Sequence, residues 1–598
     1  MAQIIDYNKI KEASAKHPKL KEINYTYGTA GFRMKAEYLE SVIFRVGILA
    51  GLRSKKLNSK VIGIMVTASH NPEADNGVKL VDPNGEMLEQ RWEGYATQLA
   101  NAQSEEDLIT VIKSIVSQNE IDESKNAIVV YARDTRPSGP KLIAALEDGI
   151  KAINAVGENL GIKTTPQLHY FTNYLNCCEK PAEGRYEELA DKLYYEKFAN
   201  AFYKAVGDNQ RLSTVYIDAA NGVGAPKLRE LAEWIDKIND NIFKVTIIND
   251  DINARGKLNF QCGADYVKTG QNPPLGLNLT CEHRAASLDG DADRIVFYYV
   301  EGDGTFRLLD GDKIAALSAG FIIELVKTAG LDINVGVVQT AYANGSSTAY
   351  LEEELKVPVS CVPTGVKHLH HKAQEYDVGV YFEANGHGTI LFSSEARTAE
   401  QETAVKKLQA LSELINQTVG DALSDLLFVE SILMNRQWSF QKWNSIYTDM
   451  PNRLVKVVVS NRHIFKTTNA ERTLVEPKGL QEKIDKLVAQ YKNGRSFVRP
   501  SGTEDVVRVY AEASTREDCD ELAFKVAGLV YDEAGGTGGR PSEFFKIKCI
   551  ELVQQIVIKV SRIISSKRQQ LSRLELAFLI IGQINNLPKR NLFVNNFH

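Results

Sequence analysis

The chain reads as an α/β protein: related α/β domains with mixed sheets, followed by a smaller α+β domain towards the C-terminus. Three observations carry that reading. Short runs rich in valine and isoleucine alternate with longer helix-like segments through most of the sequence. Each run ends in a loop of Gly, Asn, Asp or Ser, as strands of α/β units do. At 598 residues the chain exceeds what one hydrophobic core serves, which predicts roughly three to five domains.

In chain order the strand-like runs are VIGIMVTA (61–68), AIVVYARD (127–134), STVYIDAA (213–220), RIVFYYV (294–300), VGVVQTA (335–341) and VGVYFEA (378–384). Short apolar runs bounded by turn formers have the length of a buried strand. KIAALSAGFIIELVKTAG (313–330) is a representative following helix. No internal repeat keeps a fixed spacing, yet the recurrence of these units is compatible with three related domains. Residues 395–445 read as mainly helical and as a bridge between two globular parts. RLVKVVVSNR and SFVRPSGTEDVVRVYAEA then predict two separated strands of the α+β domain, and AGGTGGRP (534–541) marks a terminus or linker. Ligands of open α/β sheets bind beyond the carboxyl ends of strands, so the polar loops there matter most.

Composition excludes several classes. Apolar residues make up 43% and charged residues 25%, the balance of a globular protein, and the net charge of -5 gives no support to nucleic-acid binding by the bulk of the chain. An anionic substrate therefore needs a local basic site. Seven cysteines, including the adjacent Cys177 and Cys178, show neither zinc-type pairing nor a C-x-x-C motif. The N-terminus has no apolar signal segment, and no run of about 18 apolar residues suits a membrane span. A cytoplasmic protein is the expectation.

Four loops can carry chemistry. TASHNP (67–72) places Ser69 beside His70 at a strand end, exposed as a phosphoryl acceptor. In SLDGDADRIVFYYV (287–300), Asp289, Asp291 and Asp293 fall at i, i+2 and i+4, so an extended loop presents all three on one side. A hard divalent cation resolves their repulsion. An EF-hand is excluded, because Arg294 stands at the sixth position and Val300 at the twelfth. GVYFEANGHGT (379–389) offers Glu383 and Asn385 for sugar hydroxyls, with Gly386 and Gly388 permitting close backbone approach. FVRPSGTEDVVRVY (497–510) joins Arg499, Ser501, Gly502, Thr503 and Arg508, guanidinium forks and hydroxyls suited to phosphate. YGTAGFR (27–33) adds Arg33 on a glycine-rich turn, and TGVKHLHH (364–371) lacks the partners of a zinc site.

Taken in this order, the loops resemble the α-D-phosphohexomutase superfamily from about residue 20 to 540, and FEANGHGT, TGVKHLHH and CGADYVK (262–268) look like its N-acetylglucosamine branch. The resemblance implies four domains around a central cleft: 1–180 with the phosphoserine loop, 181–300 with the metal loop, 301–430 with the sugar loop and 431–540 with the phosphate loop. It implies that Ser69 carries the phosphate and, with Asp289, Asp291 and Asp293, holds Mg²⁺. Glu383, Ala384 and Asn385 would grip the sugar, with Arg294 near it. Arg499, Pro500, Ser501, Gly502, Thr503 and Arg508 would clamp the phosphate not being transferred. Arg33, His70 and Lys79 would serve transition-state charge and proton transfer. The implied reaction interconverts N-acetylglucosamine 6-phosphate and 1-phosphate through a hexose 1,6-bisphosphate, which also primes the enzyme, and supplies UDP-N-acetylglucosamine synthesis. A glucose or mannose mutase, or an inactive sugar-phosphate-binding homologue, is the alternative. Residues 541–598 depart from the family pattern. From position 546 they hold nine Lys/Arg against two acidic residues, which suits an amphipathic membrane-surface or partner helix, a divergent extension or translated non-coding sequence.

Overall fold

The computed structural model describes residues 4–178, 186–393, 403–501 and 505–541. The extension expected over 541–598 lies outside the described residues except for its first position. The chain forms two compact units, 1–449 and 450–598.

The first unit holds three mixed sheets. The first contains β1 (Phe32–Lys35), β2 (Val61–Val66), β3 (Asp75–Val81), β4 (Ile128–Arg133) and β5 (Val156–Ile162), ordered β1-β3-β2-β4-β5. The second contains β6 (Val215–Asp218), β7 (Val245–Ile248), β8 (Arg284–Leu288), β9 (Ile295–Val300) and β10 (Phe306–Leu309), ordered β10-β9-β8-β6-β7. The third contains β11 (Val335–Thr340), β12 (Val359–Val362), β13 (Val378–Phe382) and β14 (Gly388–Phe392), ordered β12-β11-β13-β14.

These sheets share a plan. Each has three parallel strands: β2, β4 and β5; β8, β6 and β7; β13, β11 and β12. The outermost of the three then turns back into an antiparallel neighbour, as β2 into β3, β8 into β9 and β13 into β14. The serine, aspartate and sugar loops are those three turns. Equivalent placement in three sheets is what makes the α/β domains related, and it sets every loop beyond a strand's carboxyl end.

The strand runs were legible because they are buried on both faces; β2, β11, β13 and β14 are buried at every position. The helical stretch 395–445 departs from expectation. Its described part forms helices Thr403–Leu414, Ala422–Arg436 and Phe440–Asn444. They are not a free-standing connector but pack within the first unit. Leu411, Leu426, Phe428 and Trp443 belong to the same core as Phe297, Val337 and Val380 of the second and third sheets and Ile314 of helix Gly311–Ala329. Burying each such side chain contributes roughly 1.5–3 kcal/mol, enough to draw an apolar helix inward.

The second unit is α+β. β15 (Asn452–Val458), β18 (Arg495–Pro500) and β19 (Val506–Glu512) form an antiparallel sheet ordered β15-β19-β18, beside a hairpin of β16 (Lys466–Thr468) and β17 (Thr473–Glu476). Where RLVKVVVSNR and SFVRPSGTEDVVRVYAEA were expected to supply one strand each, the second supplies two, β18 and β19, paired antiparallel on either side of its polar middle.

Candidate active site

Between β2 and β3 the backbone turns sharply, and Ser69 takes a left-handed conformation with φ of 48°. L-residues disfavour that region, so surrounding bonds must hold it. The carbonyls of Ser69 and Asn71 each accept from Arg136 Nη2 at 2.9 Å, while Arg136 Nη1 donates to the carbonyls of Pro72 and Asp75 at 2.8 and 3.2 Å. Asn259 Nδ2 reaches the same first two carbonyls, at 2.9 and 3.1 Å. The Ser69 hydroxyl, 1% exposed as a residue, donates to Asp289 Oδ2 at 2.5 Å.

Asp289, Asp291 and Asp293 lie in the turn from β8 to β9. They do not converge on an extended loop, as the sequence spacing suggested. A tight turn brings them together: Ala292 N–H donates to the Asp289 carbonyl at 3.1 Å, with Ala292 at φ 57°. The N–H groups of Asp293 and Arg294 donate to Asp289 Oδ1 at 3.1 and 3.2 Å. One carboxylate oxygen from each aspartate lies within 4.8 Å of the others, and all three residues are buried. Thr165 Oγ1 donates to Asp291 Oδ2 at 2.6 Å. Asp291 Oδ1 and Asp293 Oδ1 are buried without a hydrogen bond. Buried orphan carboxylate oxygens are what a hard divalent cation would satisfy, so the residues fit magnesium.

The electrostatics follow from crowding. Burial, then repulsion from Asp293 and Asp291, pushes the Asp289 carboxyl well above the usual carboxylate range. Burial also acts on Asp293, but His387, Lys79 and Arg294 outweigh it and hold that group below the range. Lys79, on β3, stands 3.6 Å from Asp293 Oδ2 and 4.0 Å from Asp291 Oδ2. Arg294 Nε lies 3.7 Å from Asp293 Oδ1 and 3.9 Å from Asp289 Oδ2. Arg33, on β1, donates to Asn71 Oδ1 at 3.3 Å. Burial, together with Arg294 and Arg33, pushes the His70 imidazole down to about 2, so it is neutral.

The sugar loop turns from β13 to β14 and docks on the aspartate turn. Ile295 N–H donates to the Gly386 carbonyl at 3.1 Å, and His387 Nδ1 meets the Asp293 carbonyl at 2.6 Å. Only glycine fits at 386: φ is 86°, and a Cβ there would lie 1.9 Å from the Ile295 carbonyl oxygen. Glu383, Ala384 and Asn385 remain partly exposed, and Asn385 Nδ2 sits 3.4 Å from Glu383 Oε2.

In the second unit, Arg499 on β18 stands directly across from Arg508 on β19, which is exposed. Arg499 Nε donates to Glu471 Oε1 at 2.7 Å. Pro500 ends β18, and the buried Ser501 donates its N–H to the Val506 carbonyl at 2.9 Å. Gly502 and Thr503 lie outside the described residues. The histidine-rich segment forms helix Val366–Ala373 in the first unit, where His370 Nδ1 meets Tyr381 Oη at 3.0 Å.

The sequence reading passed over the residues that hold the reactive ones. Asp134 accepts Thr67 Oγ1 at 2.8 Å and Arg136 Nε at 3.0 Å, closing a buried network beneath Ser69. The signal available was the charged DTR (134–136), which begins on the last residue of the AIVVYARD run. Thr165 is announced only by TTPQ, a capping box in which Thr164 and Gln167 start helix Thr165–Cys177. His387 stood inside the FEANGHGT motif without being given a role, and Asn259 had no local signal.

Family models for domain III and domain II of phosphoacetylglucosamine mutase AMG1 match residues 310–438 and 188–296. Models for the phosphoglucomutase/phosphomannomutase α/β/α domain I and C-terminal domain match 52–107 with 96–180, and 454–529. The phosphoacetylglucosamine mutase of Sus scrofa is 49% identical over 557 residues, covering 90% of this chain and 100% of that protein. The crystal structure of Aspergillus fumigatus N-acetylphosphoglucosamine mutase in complex with GlcNAc-6P and magnesium matches with a TM-score of 0.83 and 50% identity, covering 88% of this chain and 98% of that one. Its S69A form in complex with glucose 1,6-bisphosphate matches with a TM-score of 0.84 and 50% identity, covering 89% and 99%.

Proposed function

Because this chain belongs to the phosphoacetylglucosamine mutase family, we propose that it interconverts N-acetylglucosamine 6-phosphate and N-acetylglucosamine 1-phosphate through phosphorylated Ser69. The observation that carries the reading is the Ser69 hydroxyl 2.5 Å from Asp289, against a buried aspartate triad with orphan oxygens.

The sugar's O1 attacks the phosphorus on Ser69, the bond from phosphorus to Ser69 Oγ breaks, and a 1,6-bisphosphate forms. The bisphosphate turns over, Ser69 Oγ gives up its proton and attacks the phosphorus on O6, the bond from that phosphorus to O6 breaks and O6 takes up a proton, leaving the 1-phosphate. Such transfer depends on position and charge more than on covalent help from the protein. Asp289, Asp291 and Asp293 would hold magnesium, which supplies positive charge where the leaving oxygen develops negative charge. Arg33, Lys79 and Arg294 add fixed positive charge around Ser69. His70 is neutral, the form that can take the sugar hydroxyl's proton; burial first and then the arginine fields depress its basicity, and a phosphate on Ser69 counters the arginine part. Glu383, Ala384 and Asn385 hold the sugar hydroxyls. Arg499, Pro500, Ser501, Gly502, Thr503 and Arg508 bind the phosphate that is not moving. A hexose 1,6-bisphosphate loads the first phosphate, and the product serves UDP-N-acetylglucosamine synthesis. The setting proposed for this reaction is the cytoplasm, where its sugar-phosphate substrate is expected. No helix among the described residues is long and apolar enough to cross a membrane.

Phosphorus NMR with Mg²⁺, a bisphosphate primer and N-acetylglucosamine 6-phosphate, beside glucose 6-phosphate and Ser69→Ala, tests this. A C1-phosphate signal strongest with the N-acetyl sugar and lost in Ser69→Ala is expected. Preference for glucose 6-phosphate would move the chain to a sister activity, and turnover by Ser69→Ala would end the relay.

A further inference from the structure

We propose that Asn259 is a positioning residue for phosphoryl transfer, latching the peptide of Ser69 to the part of the molecule that carries the aspartates. This rests on the phosphoserine reading above.

The carbonyls of Ser69 and Asn71 take one donor from each side. Arg136 follows β4, in the same sheet as the serine loop, so it shapes that loop without fixing it against Asp289. Asn259 lies in the connection from β7 to β8, and its own N–H donates to the carbonyl of Ala220, beyond β6 in the aspartate sheet. Its amide therefore joins Ser69 to the second sheet, across 190 residues of sequence. Gly290, inside the aspartate turn, closes the same spot: a Cβ there would fall 2.6 Å from the Ser69 carbonyl oxygen and 2.8 Å from Asn259 Nδ2.

The need for such a latch comes from the reaction itself. The hydroxyl bond from Ser69 to Asp289 uses the serine's proton and is lost whenever phosphate replaces that proton. The Asn259 bonds use backbone carbonyls, which are the same in both states. Thr165 fixes Asp291 in either state, but Asn259 acts on the phosphorylated residue's own peptide. It keeps Ser69 in register with the aspartates through both half-reactions.

The test uses Asn259→Ala and the near-isosteric Asn259→Asp, which sets an anion against two carbonyls. Rates of Ser69 phosphorylation by glucose 1,6-bisphosphate are read by intact mass, beside kcat, KM and thermal midpoints. A misplacement near 1 Å costs on the order of 100-fold in rate, so kcat and the phosphorylation rate should fall together by about 10–100-fold while KM stays within about twofold. Asn259→Asp should fall further, and it stands in if the alanine variant fails to fold. Unchanged phosphorylation by a folded variant overturns the proposal, as does a loss of kcat that merely tracks the fraction unfolded. Wild-type protein that takes phosphate on Ser69 but does not isomerise the N-acetyl sugar would sink the substrate reading alone, and the phosphorylation rates would still decide the latch. Wild-type protein that takes no phosphate would overturn both.

Discussion

Replacing Thr165 by valine keeps the side chain's shape and removes one hydroxyl, the short donor to Asp291 Oδ2 at 2.6 Å. Both residues are buried, so water cannot replace the lost donor. Thr67 Oγ1 lies 3.1 Å from the same oxygen, but its single proton is better spent on Asp134 at 2.8 Å. A hydrogen bond to a charged acceptor is worth about 1.5–3 kcal/mol. Two effects then compete. Losing a donor makes the carboxylate a stronger ligand in principle, yet a buried carboxylate with a bare oxygen turns or takes up a proton, and either withdraws Oδ1 from the cation. Withdrawal should win, since outer partners of metal ligands typically cost 10–100-fold in affinity when removed, about the factor that 1.5–3 kcal/mol represents. Initial rates over a magnesium series should therefore show the half-maximal concentration raised about 10–100-fold in Thr165→Val, with most of kcat recovered at saturation. Thermal midpoints would establish that the variant is folded. An unshifted magnesium midpoint, or a kcat that saturating magnesium leaves depressed, would show that Thr165 does not position Asp291.

Gly311 begins helix Gly311–Ala329, and a Cβ there would lie 1.8 Å from the Glu383 carbonyl oxygen. Gly311→Ala should displace the sugar loop and raise KM by about tenfold or more, at a stability cost of about 1–3 kcal/mol; an unaltered KM would detach the loop from substrate binding. Burial, then Lys79, holds the His169 imidazole down to about 3, with Nδ1 2.7 Å from the Gly85 carbonyl oxygen. The unfolded chain takes up a proton below its ordinary value near 6.5 and the fold does not, so this contribution is complete above pH 6.5 and is lost as pH falls towards 3, by about 2 kcal/mol at pH 5. His169→Gln should flatten the pH dependence of unfolding between pH 7 and 5, and an identical slope would count against the assignment.

The four loops were legible because each is a short run of side chains with its own chemistry. Their supports were not. The bond from Thr165 to Asp291 spans 126 residues and that from Asn259 to Ser69 spans 190, and no periodicity or motif encodes such a pair. The aspartate triad shows the difference within one motif. Its spacing announced a cation, but for the wrong geometric reason: a tight turn through Ala292, not a pleat, brings the carboxylates together. The helices over 403–444 were visible as helices, while their burial was not, because an apolar stripe does not say which surface it will cover.

By itself, then, the sequence determined the α/β class, the strands and the kinds of groups at their ends, since hydrophobic period and turn chemistry act over a few residues. Tertiary structure alone decided that three turns from different sheets meet, that Ser69 sits against Asp289, and that two carboxylate oxygens are left buried without a donor. Those outcomes depend on which apolar faces pack against one another, and packing is a property of the whole chain.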